Sequence, residues 1–315
     1  MQVKKTGVPK VKKRSVREEL RRNGAFYLMA ALGLASVLVF SYGPLVGLSV
    51  AWLDYNPLKG FMKSRFVGWK NFQDALSSRF VWEAVGNTVI IKLGQTIITF
   101  PFGIMLAVLM HELGRKFRKA VQTATILPYF ISWIVVASMF RNVFSTNGGL
   151  INGILTTYLG WAQPKDFMSD PEFFRWMNIF QDAWKMGGYW AIIYLTAIAG
   201  IDEGLYEVAR IDGAGRWRQI FSITIPCIKT TILTMAIMLM GYLIIGPFDQ
   251  VMTQYSPSVY ATADIIETYT YRMGISNSKY GFATAAGLMQ SVVALLLVLL
   301  TNLIIRRVSR EDKMI

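Results

Sequence analysis

The sequence predicts an all-α membrane protein with six transmembrane helices and both termini in the cytoplasm. Three observations predict it. Of 315 residues, 53% are hydrophobic and only 17% charged, whereas soluble domains average about a quarter charged. Six apolar stretches approach the roughly 20 residues a helix needs to cross a hydrocarbon core. Of the 33 Lys and Arg residues, 21 gather at the ends of alternate stretches, which is how cytoplasmic loops are marked.

The apolar stretches are residues 25–53, 88–110, 121–140, 174–201, 230–252 and 282–305. The fourth is the weakest, because Asp182 and Lys185 interrupt it. Nine basic residues precede residue 25, and the second-to-third and fourth-to-fifth connections carry four each. Four more follow Ile305, making 21 on the side assigned to the cytoplasm. The opposite side has 10, five of them in the first outer connection, while Lys92 and Lys185 fall inside stretches. This divides the chain into a basic cytoplasmic tail, 1–24, a six-helix membrane domain, 25–310, and a short cytoplasmic end, 311–315. The first apolar run has 29 residues, too long for the core of a cleaved signal, so it reads as an uncleaved helix. The tail before it suits anionic headgroups, at about 1 kcal/mol per basic residue near the surface.

The formal charge of +14 therefore marks sidedness and lipid contact rather than nucleic-acid binding. A single cysteine, Cys227, excludes an intramolecular disulfide and any Cys-based zinc site, and reads as an inert buried thiol. A single histidine, His111, excludes paired-His metal sites, and beside Glu112 it reads as a solvated loop residue. No Gly-Lys dipeptide occurs, so there is no Walker A loop for ATP. No GxSxG elbow occurs either; Gly47-Leu48-Ser49-Val50-Ala51 is the nearest miss. These absences argue against an enzyme. A membrane-embedded transferase would need clustered carboxylates or histidines at one membrane face, and the tight acidic cluster lies instead in the loop after the fourth stretch.

In that loop Leu205, Val208, Ala209 and Asp212 fall at i, i+3, i+4 and i+7, predicting a short helix over 205–211. Gly213 and Gly215 end it in a sharp turn. A second amphipathic stretch begins at Arg216 and places Trp217, Ile220, Phe221 and Thr224 on one face before Pro226. Two small amphipathic helices with ordered charges look like a docking element.

At this point the residues resemble a known pattern. Glu207, Ala209 and Gly213, then nine residues, then Ile223, Ile225 and Pro226, resemble the EAA motif of ABC-importer permeases. Val208 replaces the middle alanine and Ile225 the usual leucine. Further segments are similar to the carbohydrate, LplB-type branch of these permeases. They are Gly43-Pro44-Leu45, Tyr55-Asn56-Pro57, Val67-Gly68-Trp69-Lys70-Asn71-Phe72, Leu127-Pro128-Tyr129-Phe130-Ile131-Ser132-Trp133 and Ala283-Thr284-Ala285-Ala286-Gly287-Leu288.

The resemblance implies a type I importer architecture in a bacterial cytoplasmic membrane, working by alternating access. It implies a second homologous permease, an ABC ATPase dimer that holds the ATP and Mg, an extracytoplasmic solute-binding protein, and a saccharide cargo. It implies no cofactor on this chain. Glu207, Ala209, Arg210, Asp212 and Gly213 would form the ATPase contact within the coupling loop 203–226. A permease for a non-sugar solute is the alternative.

Polar and aromatic residues at membrane depth are the candidates for the solute pathway. In the fourth stretch these are Gln181, Asp182, Trp184, Lys185 and Tyr189. In the fifth they are Tyr242, Phe248, Asp249 and Gln250, and in the sixth Thr284, Gln290, Ser291 and Asn302. Asp182 and Lys185, spaced i, i+3, are expected to pair. Lys92, Lys185, Arg141 and Arg272 would favour an acidic saccharide.

Overall fold

A computed structural model describes residues 16–240 and 243–311. The basic tail before residue 16, Tyr242, and the last four residues lie outside the described part. The chain forms two compact units, Met1–Val50 and Ala51–Ile315.

In the first, helix α1 (Val16–Val37) continues through a π-turn, Leu38–Tyr42, into a tight helix, Gly43–Trp52. Together Arg22–Trp52 is long and apolar enough to cross a membrane, as expected for the first stretch.

The second unit begins with a two-stranded antiparallel ribbon, β1 (Leu53–Asp54) and β2 (Arg65–Phe66), with α2 (Gly60–Lys63) between the strands. Helix α3 (Lys70–Ser77) leads into α4 (Arg79–Glu112), whose interior Pro101 does not end the helix. Next come α5 (Arg115–Ile126), α6 (Trp133–Phe144), α7 (Leu150–Thr157) and α8 (Pro171–Ile198). The loop helices are α9 (Glu203–Ile211), α10 (Arg216–Gln219) and α11 (Ile225–Cys227), followed by α12 (Lys229–Met240). Three short helices, α13 (Phe248–Met252), α14 (Tyr260–Ala263) and α15 (Ile266–Tyr271), precede the long α16 (Tyr280–Glu311).

Two of the six expected spans are not single helices. Stretch 121–140 is broken at Leu127–Phe130, and the helices on either side meet at 100°. Pro128 removes a backbone donor and crowds the turn before it, while Ser132 accepts from the Val135 N–H and starts a new helix. Stretch 230–252 is also interrupted: α12 ends at Met240, and Pro247 precedes α13. The segment entering α12 is bent by 62° behind Pro226.

Helices α4 and α8 pack along most of their length, and two physical features explain it. Gly187 and Gly188 in α8 have no side chain, so α8 meets Phe102 of α4 and the Thr125 carbonyl of α5 at distances a Cβ would forbid. The shared face is also polar: Gln95 and Thr99 of α4 and Asn178 and Gln181 of α8 are buried. In an apolar surrounding such groups need partners: Thr99 bonds Asp182 across the two helices, and Gln250 bridges Gln95 to Asn178 and Gln181, which holds the helices in register. At one end an apolar cluster of Ala107, Met110, Tyr194, Leu195, Ile198 and Ile228 closes the packing.

Candidate functional site

The 203–226 loop is built as two short helices whose undersides are fixed. Asp202 caps α9 by accepting from the Gly204 N–H at 2.9 Å. The helix therefore starts at Glu203, two residues before the expected point. At its other end the Ala214 N–H donates to the Ala209 carbonyl (2.8 Å) and the Gly213 N–H to the Arg210 carbonyl (3.1 Å). These two bonds make a Schellman turn. It needs a left-handed residue at Gly213, whose φ is +74°. The glycine and its spacing from Ala209 thus follow from how the helix stops.

The loop is anchored from beneath. The buried hydroxyls of Tyr206 and Thr224 lie 2.9 Å apart, and the Tyr206 ring lies 5.8 Å from the His111 ring at the end of α4. His111 is thus a half-buried packing residue rather than a solvated one. Arg118 of α5 donates to the carbonyls of Met110, His111 and Leu113, closing the end of α4. An outer ion pair, Arg216 to Glu112 at 3.8 Å, spans the loop and α4.

The opposite surface is free. Glu207, Arg210, Asp212 and Gly213 are exposed, and Ala209 is half-buried. Around them lie apolar side chains that solvent alone does not explain: Ile211 is 84% exposed, Trp217 73% and Phe221 67%, with Trp217 and Phe221 stacked. Trp217, Ile220, Phe221 and Thr224 were expected on one face. The π-turn Ile220–Thr224 instead separates them, turning Thr224 inward to Tyr206 and leaving Trp217 and Phe221 outward. Cys227 is exposed and not buried as expected, because the bend at Pro226 carries it off the packed face.

The membrane-depth candidates divide into two groups. Asp182 and Lys185 do not pair. Asp182 accepts from the Thr99 hydroxyl at 2.7 Å. The Lys185 ammonium donates to the carbonyls of Pro128 (3.1 Å), Tyr129 (2.8 Å) and Ile131. Its 6% exposure shows how completely it is enclosed. It supplies the donors that the α5–α6 break leaves its carbonyls without, a role read from neither residue alone.

Gln250 is equally committed. It accepts from Gln95 at 2.9 Å and donates to the Asn178 carbonyl at 2.7 Å and to Gln181 at 3.2 Å. Gln254, absent from the sequence-stretch candidates because it lies beyond the fifth stretch, completes this amide network by exchanging bonds with Gln181. Gln290 donates to the Ile244 carbonyl and to Glu267. Thr284 turns back to the Tyr280 carbonyl.

The other candidates keep accessible surface. Trp184 and Tyr189 are exposed in part, and Tyr189 stacks on Tyr129 with centroids 4.8 Å apart. Phe248 is half-buried against Tyr271, and Asp249 is exposed. Two further aromatics lie on the Trp184 side of α8 at helical spacing. Trp176, Phe180 and Trp184 recur every fourth residue of α8 and are 56%, 57% and 39% exposed.

Residues 99–310 match the family described as binding-protein-dependent transport system inner membrane component. Protein LplB of Bacillus subtilis (strain 168) is 34% identical over 293 residues, covering 93% of this chain and 92% of that protein. The polygalacturonan/rhamnogalacturonan transport system permease protein YteP of the same organism is 33% identical over 303 residues, covering 96% of this chain and 94% of that one. Among solved structures, a bacterial alginate ABC transporter in complex with an alginate pentasaccharide-bound periplasmic protein contains a chain 35% identical to this one. The TM-score is 0.83, over 94% of this chain and 98% of that one. Matching over almost the whole length, in sequence and in fold, the chain belongs to the inner-membrane components of binding-protein-dependent transport systems and is an ABC transporter permease subunit, not itself an enzyme.

Proposed function

We propose that this permease carries oligosaccharides or polysaccharide fragments, acidic ones among them, inward across a bacterial cytoplasmic membrane by alternating access. The observation that carries the reading is the exposed aromatic row Trp176, Phe180 and Trp184 on α8. Successive rings every four residues advance about 6 Å along a helix. Pyranose rings stack their C–H faces on such surfaces. The permease named for polygalacturonan and rhamnogalacturonan and the alginate transporter support the same cargo class.

The pathway we assign has Trp184, Tyr189, Phe248 and Asp249 facing the solute, with Thr284 beside them. Lys185, Gln250 and Gln290 shape it by holding the surrounding backbone. Six spans with both termini in the cytoplasm fit the charge distribution, with each bent segment as one span and α8 as the sixth. At 28 residues and 1.5 Å per residue, α8 is about 42 Å long, enough to cross.

Energy then enters through the 203–226 loop. Its exposed Ile211, Trp217 and Phe221, ringed by Glu207, Arg210 and Asp212, suit a cleft on an ATPase dimer that holds ATP and Mg. Gly213 fixes the angle at which the helix is presented, and Ala209 permits close approach. A second homologous permease completes the pathway, and an extracytoplasmic solute-binding protein delivers the cargo.

The test is reconstitution of the complex in proteoliposomes with its binding protein. Oligogalacturonide-loaded binding protein is expected to stimulate both ATP hydrolysis and uptake. Stimulation only by a binding protein loaded with a non-sugar solute would overturn the reading.

A further inference from the structure

One cavity among the described residues is separate from the α8 face. It measures about 1190 Å³ and lies between the first outer connection and the segment leading into α16. This exceeds the roughly 300–1,000 Å³ typical of small-ligand sites. Its walls come from β1, β2 and α3 on one side and from residues 269–282 on the other.

The walls are held firmly. The Asn71 amide donates to the carbonyls of Ala51 (2.9 Å) and Leu53 (3.0 Å). Gly281 packs so closely against Asn71 and the Leu53 carbonyl that a Cβ would not fit. On the far wall Arg272 is bonded to Asp264 and lies 4.2 Å above the Tyr260 ring.

The lining combines three kinds of group that one ligand chemistry uses together. Tyr55, Phe66 and Tyr280 present rings, with Tyr55 and Tyr280 meeting edge to face at 5.7 Å. Asp54 and Asp74 present carboxylates that accept hydroxyl protons. Arg65, Lys70 and Lys279 present cations, and among the described residues none of the three makes an ion pair. Asp54 sits opposite Arg65 in the ribbon and Asp74 one turn after Lys70. With Arg272 committed to Asp264, three cations face two carboxylates and the lining carries surplus positive charge. Rings, hydroxyl acceptors and an excess of cation match a sugar bearing carboxylates. A phosphate-only ligand has no use for the two carboxylates or the rings.

We infer that this cavity is an outer subsite for a uronate-containing oligosaccharide, with Lys70 and Lys279 selecting its carboxylates. The inference rests on the proposed saccharide transport and its sidedness, and it adds a residue-level basis for choosing acidic over neutral chains. The cavity holds one part of the chain at the outer face while another part engages the membrane aromatics.

The experiment uses the reconstituted complex in phosphatidylcholine vesicles. Competing uptake of trigalacturonate and of its carboxyl-reduced, neutral counterpart is measured. For the Lys70→Gln/Lys279→Gln variant the acidic-to-neutral uptake ratio is expected to fall about tenfold, because two charge-assisted contacts are lost. Lys70→Arg/Lys279→Arg is expected to keep the ratio within about twofold, which separates charge from folding. An unchanged ratio in the glutamine variant would overturn the inference. So would a change that follows the anionic lipid content of the vesicles, or an equal rise in the binding-protein concentration needed for either cargo, which would make the cavity a protein-docking surface. If the unaltered complex imports neither oligosaccharide, the saccharide function itself fails, independently of this cavity.

Discussion

The buried hydroxyls of Tyr206 and Thr224 lie 2.9 Å apart, joining the middle of α9 to the segment that leads into α12. A displacement of α9 therefore has a route to α12 that bypasses the turn at Gly213. Tyr206→Phe removes the bond and leaves the Thr224 hydroxyl buried with one partner fewer, at about 1 kcal/mol. In vesicles the variant is expected to hydrolyse more ATP per solute imported. An unchanged ratio would show that the force travels by another route.

Gly213 and Glu207 separate shape from recognition. Nothing lies within 4 Å of a Cβ at Gly213, so Gly213→Ala meets only its own backbone at φ +74°. The cost is about 1–2 kcal/mol, and Gly213→Asn should be milder because asparagine tolerates that region. Glu207→Ala leaves the helix intact and should reduce binding-protein-stimulated ATP hydrolysis without lowering the thermal midpoint of the isolated chain. Equal thermal loss in both variants would contradict the separation.

Lys185 is a structural cation rather than a free one. Lys185→Met leaves three carbonyls of the α5–α6 break without their donor. Each unmade buried bond costs about 1–3 kcal/mol. Lys185→Arg should not rescue, since a planar guanidinium does not fit a pocket shaped for an ammonium. Thermal unfolding of the detergent-solubilised protein reads the loss, and a midpoint unchanged by Lys185→Met would refute the role.

Close approach of α5 and α8 gives a paired control. Gly188→Ala would place its Cβ against the Thr125 carbonyl, which is backbone and cannot swing aside. It is expected to cost about 1–3 kcal/mol. Gly153→Ala in α7 meets nothing within 4 Å and should be neutral or slightly stabilising. Similar midpoints for the two would mean that the helices can separate freely.

Asp170 provides the pH dependence. Lys165, at 2.6 Å, and the Phe173 N–H hold its carboxyl below the ordinary carboxylate value of 3.8. A lowered carboxylate contributes stability that is complete above its unfolded value and lost as pH falls through the folded one. Asp170→Asn should therefore lower the midpoint at pH 7, and the gap to the unaltered protein should close below about pH 4. A gap constant between pH 7 and pH 3 would exclude the contribution.

The sequence by itself determined the mostly helical class with its membrane-length apolar stretches, the clustering of Lys and Arg at stretch ends, and the place of the short-helix loop after the fourth stretch. These rest on local and additive properties: runs of apolar residues, end charges, and a glycine at the one position where the helix must stop. Only the tertiary structure decided that Asp182 bonds Thr99, that Lys185 serves a break some 55 residues earlier in the chain, and that Gln250 joins α4 to α8. It also decided that stretches 121–140 and 230–252 bend. A polar side chain at membrane depth must find a partner, and its identity depends on which helices meet. The spacing along one helix does not contain that choice.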